Sequence, residues 1–198
     1  MPSRDRIFAR IRHNLGRGPL DEAAAGALKA RIEGHASHTI PTRTDISRDK
    51  QIDLFQEKAE ALAATVARVP SLAEVPEAVR DYLAAHNLPT RIKMSAASPE
   101  DEVSLTPAFT GIAETGTLCM ASGPETPSTL NFLPENHVVM IRESQITGTL
   151  EDSWAQLREK FGAGNLPRTV NFISGPIVKP PPRFLRGLVA NHFHCSAV

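Results

Sequence analysis

Cysteine is scarce in this chain: only Cys119 and Cys195 occur among its 198 residues, and neither belongs to a Cys-x-x-Cys pair. A disulfide framework is therefore not expected. An iron–sulfur cluster takes about four thiolates, so this chain alone cannot hold one, and any electrons that move in its system travel through another subunit. Excess charge is also missing. With 22 basic and 22 acidic side chains, the formal net charge is zero, leaving no global field to recruit nucleic acid or an acidic membrane surface. No stretch of about 18 apolar residues occurs, and the arginine-rich start has no apolar region after it, so neither a membrane span nor an ordinary signal peptide is read. The expectation is a soluble, cytoplasmic protein with no nucleic-acid partner.

What is present is a hydrophobic fraction of 41%, enough for one core that buries about 70% of the unfolded surface. Three regions are expected: an N-terminal helical arm and linker over 1–46, an α/β domain over 47–176 and an atypical tail over 177–198. In the arm, Ile7, Phe8, Ile11 and Leu15 share a helical face while Arg4, Arg6, Arg10 and Arg12 occupy much of the rest. This is a solvated basic face or a docking face for a partner subunit. Asp21 can cap a second helix, which Gly34 ends. His35 and His38 follow in a loop without a matching carboxylate or thiol and read as solvated. No metal is expected there.

Ser47 is placed to cap a helix with Ile52, Phe55, Ala59, Leu62 and Val66 along one stripe, and Thr65 to Val69 reads as a first strand. Ser71 to Glu74 has capping-box form ahead of a helix carrying Val75, Val79 and Leu83, and Thr90 to Met94 reads as a strand. Further on, Thr149 to Asp152 starts a helix by the same capping pattern. Leu150, Trp154, Leu157 and Phe161 mark its buried stripe, with Trp154 read as core. Arg168 to Ser174 is expected to be a strand closed by Gly175-Pro176. Helices alternating with apolar strands predict an α/β fold with a mostly parallel sheet flanked by helices.

The chemistry-bearing stretch lies between two apolar runs, at Ala113-Glu114-Thr115-Gly116-Thr117. It reads as a strand, a tight polar turn and a second strand, because glycine reaches backbone angles that a Cβ forbids. Hydroxyls and backbone N–H groups presented together can hold an anion, and a carboxylate beside them can move a proton. Glu114 is therefore the candidate catalytic residue, or else it only braces its own turn. Thr115, Gly116 and Thr117 are candidate ligand contacts. His137 enters the uninterrupted apolar run Val138-Val139-Met140-Ile141, which suits a strand covered on both faces. It is a candidate ligand contact or a satisfied structural histidine. Polar turns at strand ends are where ligands gather in such sheets, which adds Ser174 and Gly175. Cys119 reads as a small core residue. Residues 122–129 read as a flap over the site or a plain surface loop.

Ile112 to Thr117, Leu133 to His137, Ser144 to Thr147 and Ile173 to Pro176, in that order, resemble the motifs of the LUD-domain family of lactate-utilisation protein C. The resemblance implies a fold similar to the sugar-phosphate isomerase and CoA-transferase group. It also implies a role in oxidising L-lactate to pyruvate beside iron–sulfur partner proteins, with no redox cofactor on this chain and a small anionic ligand as a further binding partner. An enzyme acting alone on a phosphorylated sugar, acyl-CoA or folate is the alternative, and a degraded paralogue without catalysis is another. After Pro176 the family's remaining motifs do not follow. Residues 177–198, with three consecutive prolines, are expected to be foreign to the family pattern, as from a shifted frame or a premature end. His192, His194 and Cys195 in that tail read as incidental rather than as a metal site.

Overall fold

The computed structural model describes residues 3–95, 97–98, 100–162, 164–175 and the backbone of 188–193. It divides into two compact units, separated between His38 and Thr39. The first holds α1 (Ser3–Asn14) and α2 (Glu22–Gly34). Asp21 caps α2 by accepting from the Ala24 N–H at 2.7 Å. The left-handed residue that stops this helix is His35, at φ 43°, rather than Gly34. Neither helix buries a residue.

The second unit contains α3 (Arg48–Ala61), β1 (Thr65–Val69), α4 (Val75–Ala85), β2 (Val103–Pro107), β3 (Thr110–Ile112) and β4 (Thr117–Ala121). It continues with α5 (Thr129–Phe132), β5 (Asn136–Arg142), β6 (Ile146–Thr147), α6 (Leu150–Phe161), β7 (Val170–Ile173) and β8 (Leu188–Phe193). The strands form two four-stranded sheets. One, in the order β1-β8-β5-β2, is parallel throughout. The other, β6-β3-β4-β7, is mixed, with β3 antiparallel to β4 and β4 antiparallel to β7. The fold is α/β, and a parallel sheet flanked by helices is its larger theme, but the strands around the polar turn belong to the antiparallel part.

Strand β5 shows why the sequence folds this way. Side chains alternate across a strand, so a run apolar at every position needs cover on both faces. Val138 packs with Val75, Val79, Leu83 and Val103, the cluster under α4. Val139 and Ile141 face the other way, into a cluster with Ile52, Phe55 and Ala59 of α3 and with Leu118, Met120, Ile146 and Ile173 from the second sheet. Ile52, Phe55 and Ala59 of the expected stripe are the buried residues of α3, whereas Leu62 lies exposed just past its end and Val66 belongs to β1.

The chain steps from the first sheet into the second at Ala108-Phe109 and again at Glu143 to Gln145. Gln145 ties these crossovers together: its amide donates to the carbonyls of Ala108 at 2.9 Å and Phe109 at 3.1 Å, and its carbonyl accepts from the Arg142 N–H at 2.9 Å. Arg48 of α3 donates to the carbonyls of Glu143 and Ile146 at the same place. Thr149 and Asp152 form a reciprocal capping box on α6, as their spacing suggests.

Several local expectations are corrected. Ser71 does not cap backbone; its hydroxyl donates to the Glu74 carboxylate at 3.0 Å, and a short 3-10 turn precedes α4. Thr90 to Met94 contributes only an isolated bridge, Lys93 with Ser104, on the outer side of β2; the strand that pairs with β5 is β2, whose mixed polar and apolar residues hide its strand character in the sequence. Part of the segment set apart as a tail, the β8 backbone, lies between β1 and β5. Pro176, His194 and Cys195 lie outside the described residues.

Candidate functional site

Strands β3 and β4 form the expected hairpin around Glu114 to Gly116. Gly116 has φ +66°, and a Cβ there would stand 2.4 Å from the Ala59 backbone nitrogen. Only glycine permits both the left-handed turn and this approach of α3. Gly116 thus seats the hairpin against the end of α3. Gly175, at φ +75°, has a similar place on the β7 side, where a Cβ would meet the Leu62 carbonyl oxygen at 3.1 Å.

The backbone N–H groups of the turn are consumed internally. Glu114 N–H donates to the Gly148 carbonyl at 3.0 Å, while Thr115 and Gly116 donate to that of Ile112 at 3.4 and 2.9 Å. The anion cradle of N–H groups expected from the glycine turn is therefore not available. What the turn offers instead is side-chain hydroxyls. Thr115 Oγ1 and Thr117 Oγ1 are 2.7 Å apart, and Thr117 Oγ1 donates to Ser174 Oγ at 3.1 Å. The two polar turns, 57 residues apart in sequence, converge into one row.

This row borders a cleft of about 500 Å³. Its remaining walls are Ile112, Glu114, Leu150, Trp154 and Phe172. Trp154 and Phe172 hold ring centroids 5.2 Å apart. Trp154, read from the sequence as core, lines the cleft; Leu157 and Ser153 are the α6 residues that are buried. Glu114 is paired with Arg43, which comes from the 3-10 turn Thr42–Thr44. The Glu114 side chain is 14% exposed and that of Arg43 60%. Nothing in the sequence signals Arg43, because it lies 71 residues from its partner. Trp154 and Phe172 are legible only once α6 and β7 are known to face each other.

His137 stands apart from this cleft. It is buried on β5, one of its ring nitrogens, Nε2, is 2.6 Å from Thr106 Oγ1, and burial pushes its pKa down to about 4. Its Nδ1 is buried without a hydrogen-bond partner among the described residues. Cys119 is fully buried, and burial raises its thiol pKa, as suits a core residue.

The hairpin, the Leu-Pro-x-x-His step, the Gln145 clamp and the Ser174 turn lie within, or within reach of, one recognisable segment. Residues 89–178 match the LUD domain. A lactate utilization protein C of Geobacillus sp. (strain WCH70) is 35% identical over 66 residues, 33% of this chain and 27% of that protein. A second, from Shouchella clausii, is 29% identical over 75 residues, 38% of this chain and 33% of that protein. The alignments with these curated relatives thus span about a third or less of their length. An uncharacterized protein of Neisseria meningitidis serogroup B is 26% identical across 89% of this chain and 83% of its own. The crystal structure of a DUF162 family protein from Deinococcus radiodurans superposes with a TM-score of 0.55 at 20% identity, covering 75% of this chain and 99% of that one, which establishes the shared fold. The LUD segment holds both halves of the hydroxyl row, the Glu114 carboxylate and the aromatic wall. Arg43 comes from outside it. Among the described residues, no helix is long and apolar enough to cross a membrane.

Proposed function

We propose that this protein is a component of an L-lactate utilisation system that oxidises lactate to pyruvate, working in the cytoplasm beside iron–sulfur partner proteins. It contributes a ligand-binding cleft rather than a redox centre. The observation that carries this reading is the LUD match over residues 89–178, supported by relatives named for lactate utilisation. In the cleft, Ser174 gives a hydrogen bond to a small ligand and Thr115 and Thr117 line its place with oxygens that can accept one, with Gly116 and Gly175 shaping the turns that present them. Glu114, held by Arg43, is the carboxylate that takes or gives a proton to that ligand. His137 serves the sheet.

Deletion of the gene followed by growth on L-lactate and on glucose tests the reading. Loss of growth on lactate alone, restored by the wild-type gene and not by Glu114→Gln, is the expected outcome. Affinity purification is expected to bring down cysteine-rich iron–sulfur proteins. Unaffected growth on both carbon sources overturns the assignment. Turnover of a phosphorylated sugar, acyl-CoA or folate by the isolated chain would replace it with a stand-alone enzyme.

A further inference from the structure

The hydroxyl row has a direction. A threonine hydroxyl has one proton, and Thr117 gives its proton to Ser174 Oγ at 3.1 Å. The 2.7 Å contact between Thr115 and Thr117 must then be donated by Thr115. Protons therefore run from Thr115 through Thr117 to Ser174, and the Ser174 O–H is the end of the chain. It is exposed at the cleft, with no acceptor for its proton among the described residues. Each bond in such a chain polarises the next, so the terminal hydroxyl is a better donor than an isolated serine. Its natural partner is a carbonyl or carboxylate oxygen.

Apart from Glu114, the rest of the cleft's lining is apolar: Trp154, Phe172, Ile112 and Leu150. At about 500 Å³ the cleft lies within the roughly 300–1,000 Å³ of sites that enclose whole organic ligands. A three-carbon hydroxy acid would leave most of that wall wetted and unused. The Glu114 charge, which would repel an anionic ligand, is offset by Arg43.

We infer that this cleft binds a carbonyl-bearing molecule larger than lactate, with an aromatic or branched apolar body against Trp154 and Phe172 and its oxygen accepting from Ser174 Oγ–H. The site so defined does not depend on the lactate assignment. Growth on lactate can fail to need this gene while the cleft still binds such a molecule, and the reverse also holds.

Trp154 is the single tryptophan of the chain, so its fluorescence reports this wall directly. The full-length protein is titrated with 4-phenylbutyrate, with its amide and with L-lactate. The aryl acid is expected to change the emission saturably, with a dissociation constant at least about tenfold below that of lactate, from the additional apolar area it buries. Ser174→Ala, at an exposed position, is expected to weaken it about tenfold, the value of one hydrogen bond. Ser71→Ala, away from the cleft, is expected to leave binding unchanged. Binding of the acid without the amide supports the proposal and narrows it to carboxylates. Lactate binding as tightly as the aryl acid, no saturable response in fluorescence or calorimetry, or an unchanged affinity in Ser174→Ala overturns it.

Discussion

His137 on β5 and Thr106 on β2 share a 2.6 Å hydrogen bond between neighbouring parallel strands, at a site where the imidazole is 6% exposed. Burial opposes the imidazolium and brings the pKa down to about 4 from its ordinary 6.5. Between those values the unfolded chain binds a proton that the folded chain does not. Stability from this group is therefore complete above about pH 6.5 and is lost as the pH falls towards 4. At about 1.4 kcal/mol per pH unit, the loss is on the order of 3 kcal/mol. Urea midpoints measured from pH 7.5 to pH 4 check this: the wild type is expected to fall across the window, and His137→Gln to fall distinctly less.

Gly116→Ala is expected to destabilise by about 3 kcal/mol or more. The added Cβ meets backbone atoms of Lys58 and Ala59 at 2.4 to 2.9 Å, and the residue has φ +66°. Neither neighbour can swing away as a side chain would. Urea denaturation measures the loss, and a change below about 1 kcal/mol would mean that the hairpin is not seated on α3 as described.

Gln145→Ala removes two donations and one acceptance at the crossovers between the sheets. Leaving the Ala108 and Phe109 carbonyls without this donor is expected to cost about 2–3 kcal/mol in urea denaturation. Gln145→Glu keeps the acceptor and loses the donor, so it is expected to rescue little.

Thr149→Ala breaks the capping box in which Thr149 and Asp152 satisfy each other's backbone N–H. A cost of about 1 kcal/mol is expected from thermal or urea unfolding. Thr149→Ser, which keeps the oxygen, is expected to stay within about 0.5 kcal/mol of wild type.

Local signals proved legible where the cause was local. The Thr149 box, the Asp21 cap and the stripe Ile52, Phe55, Ala59 all follow from contacts within a few residues. The β3–β4 hairpin follows from a glycine between two apolar runs. Strand β2 escaped notice because its Ser104 and Thr106 bury their hydroxyls by bonding distant partners, the Leu130 carbonyl and His137. The turn N–H groups looked free for a ligand because the carbonyl that takes the one from Glu114 belongs to Gly148.

By itself the sequence determined the longer helices, the buried central strand and the hydroxyl-rich turn, though not the short α5, since periodicity and backbone sterics act over a few residues. The order and antiparallel pairing of the second sheet, the Gln145 clamp, the Glu114–Arg43 pair and the Trp154 wall were decided by tertiary structure. Each brings together groups tens of residues apart, and an electrostatic or apolar contact has no trace in the chain until folding closes the loop between its partners.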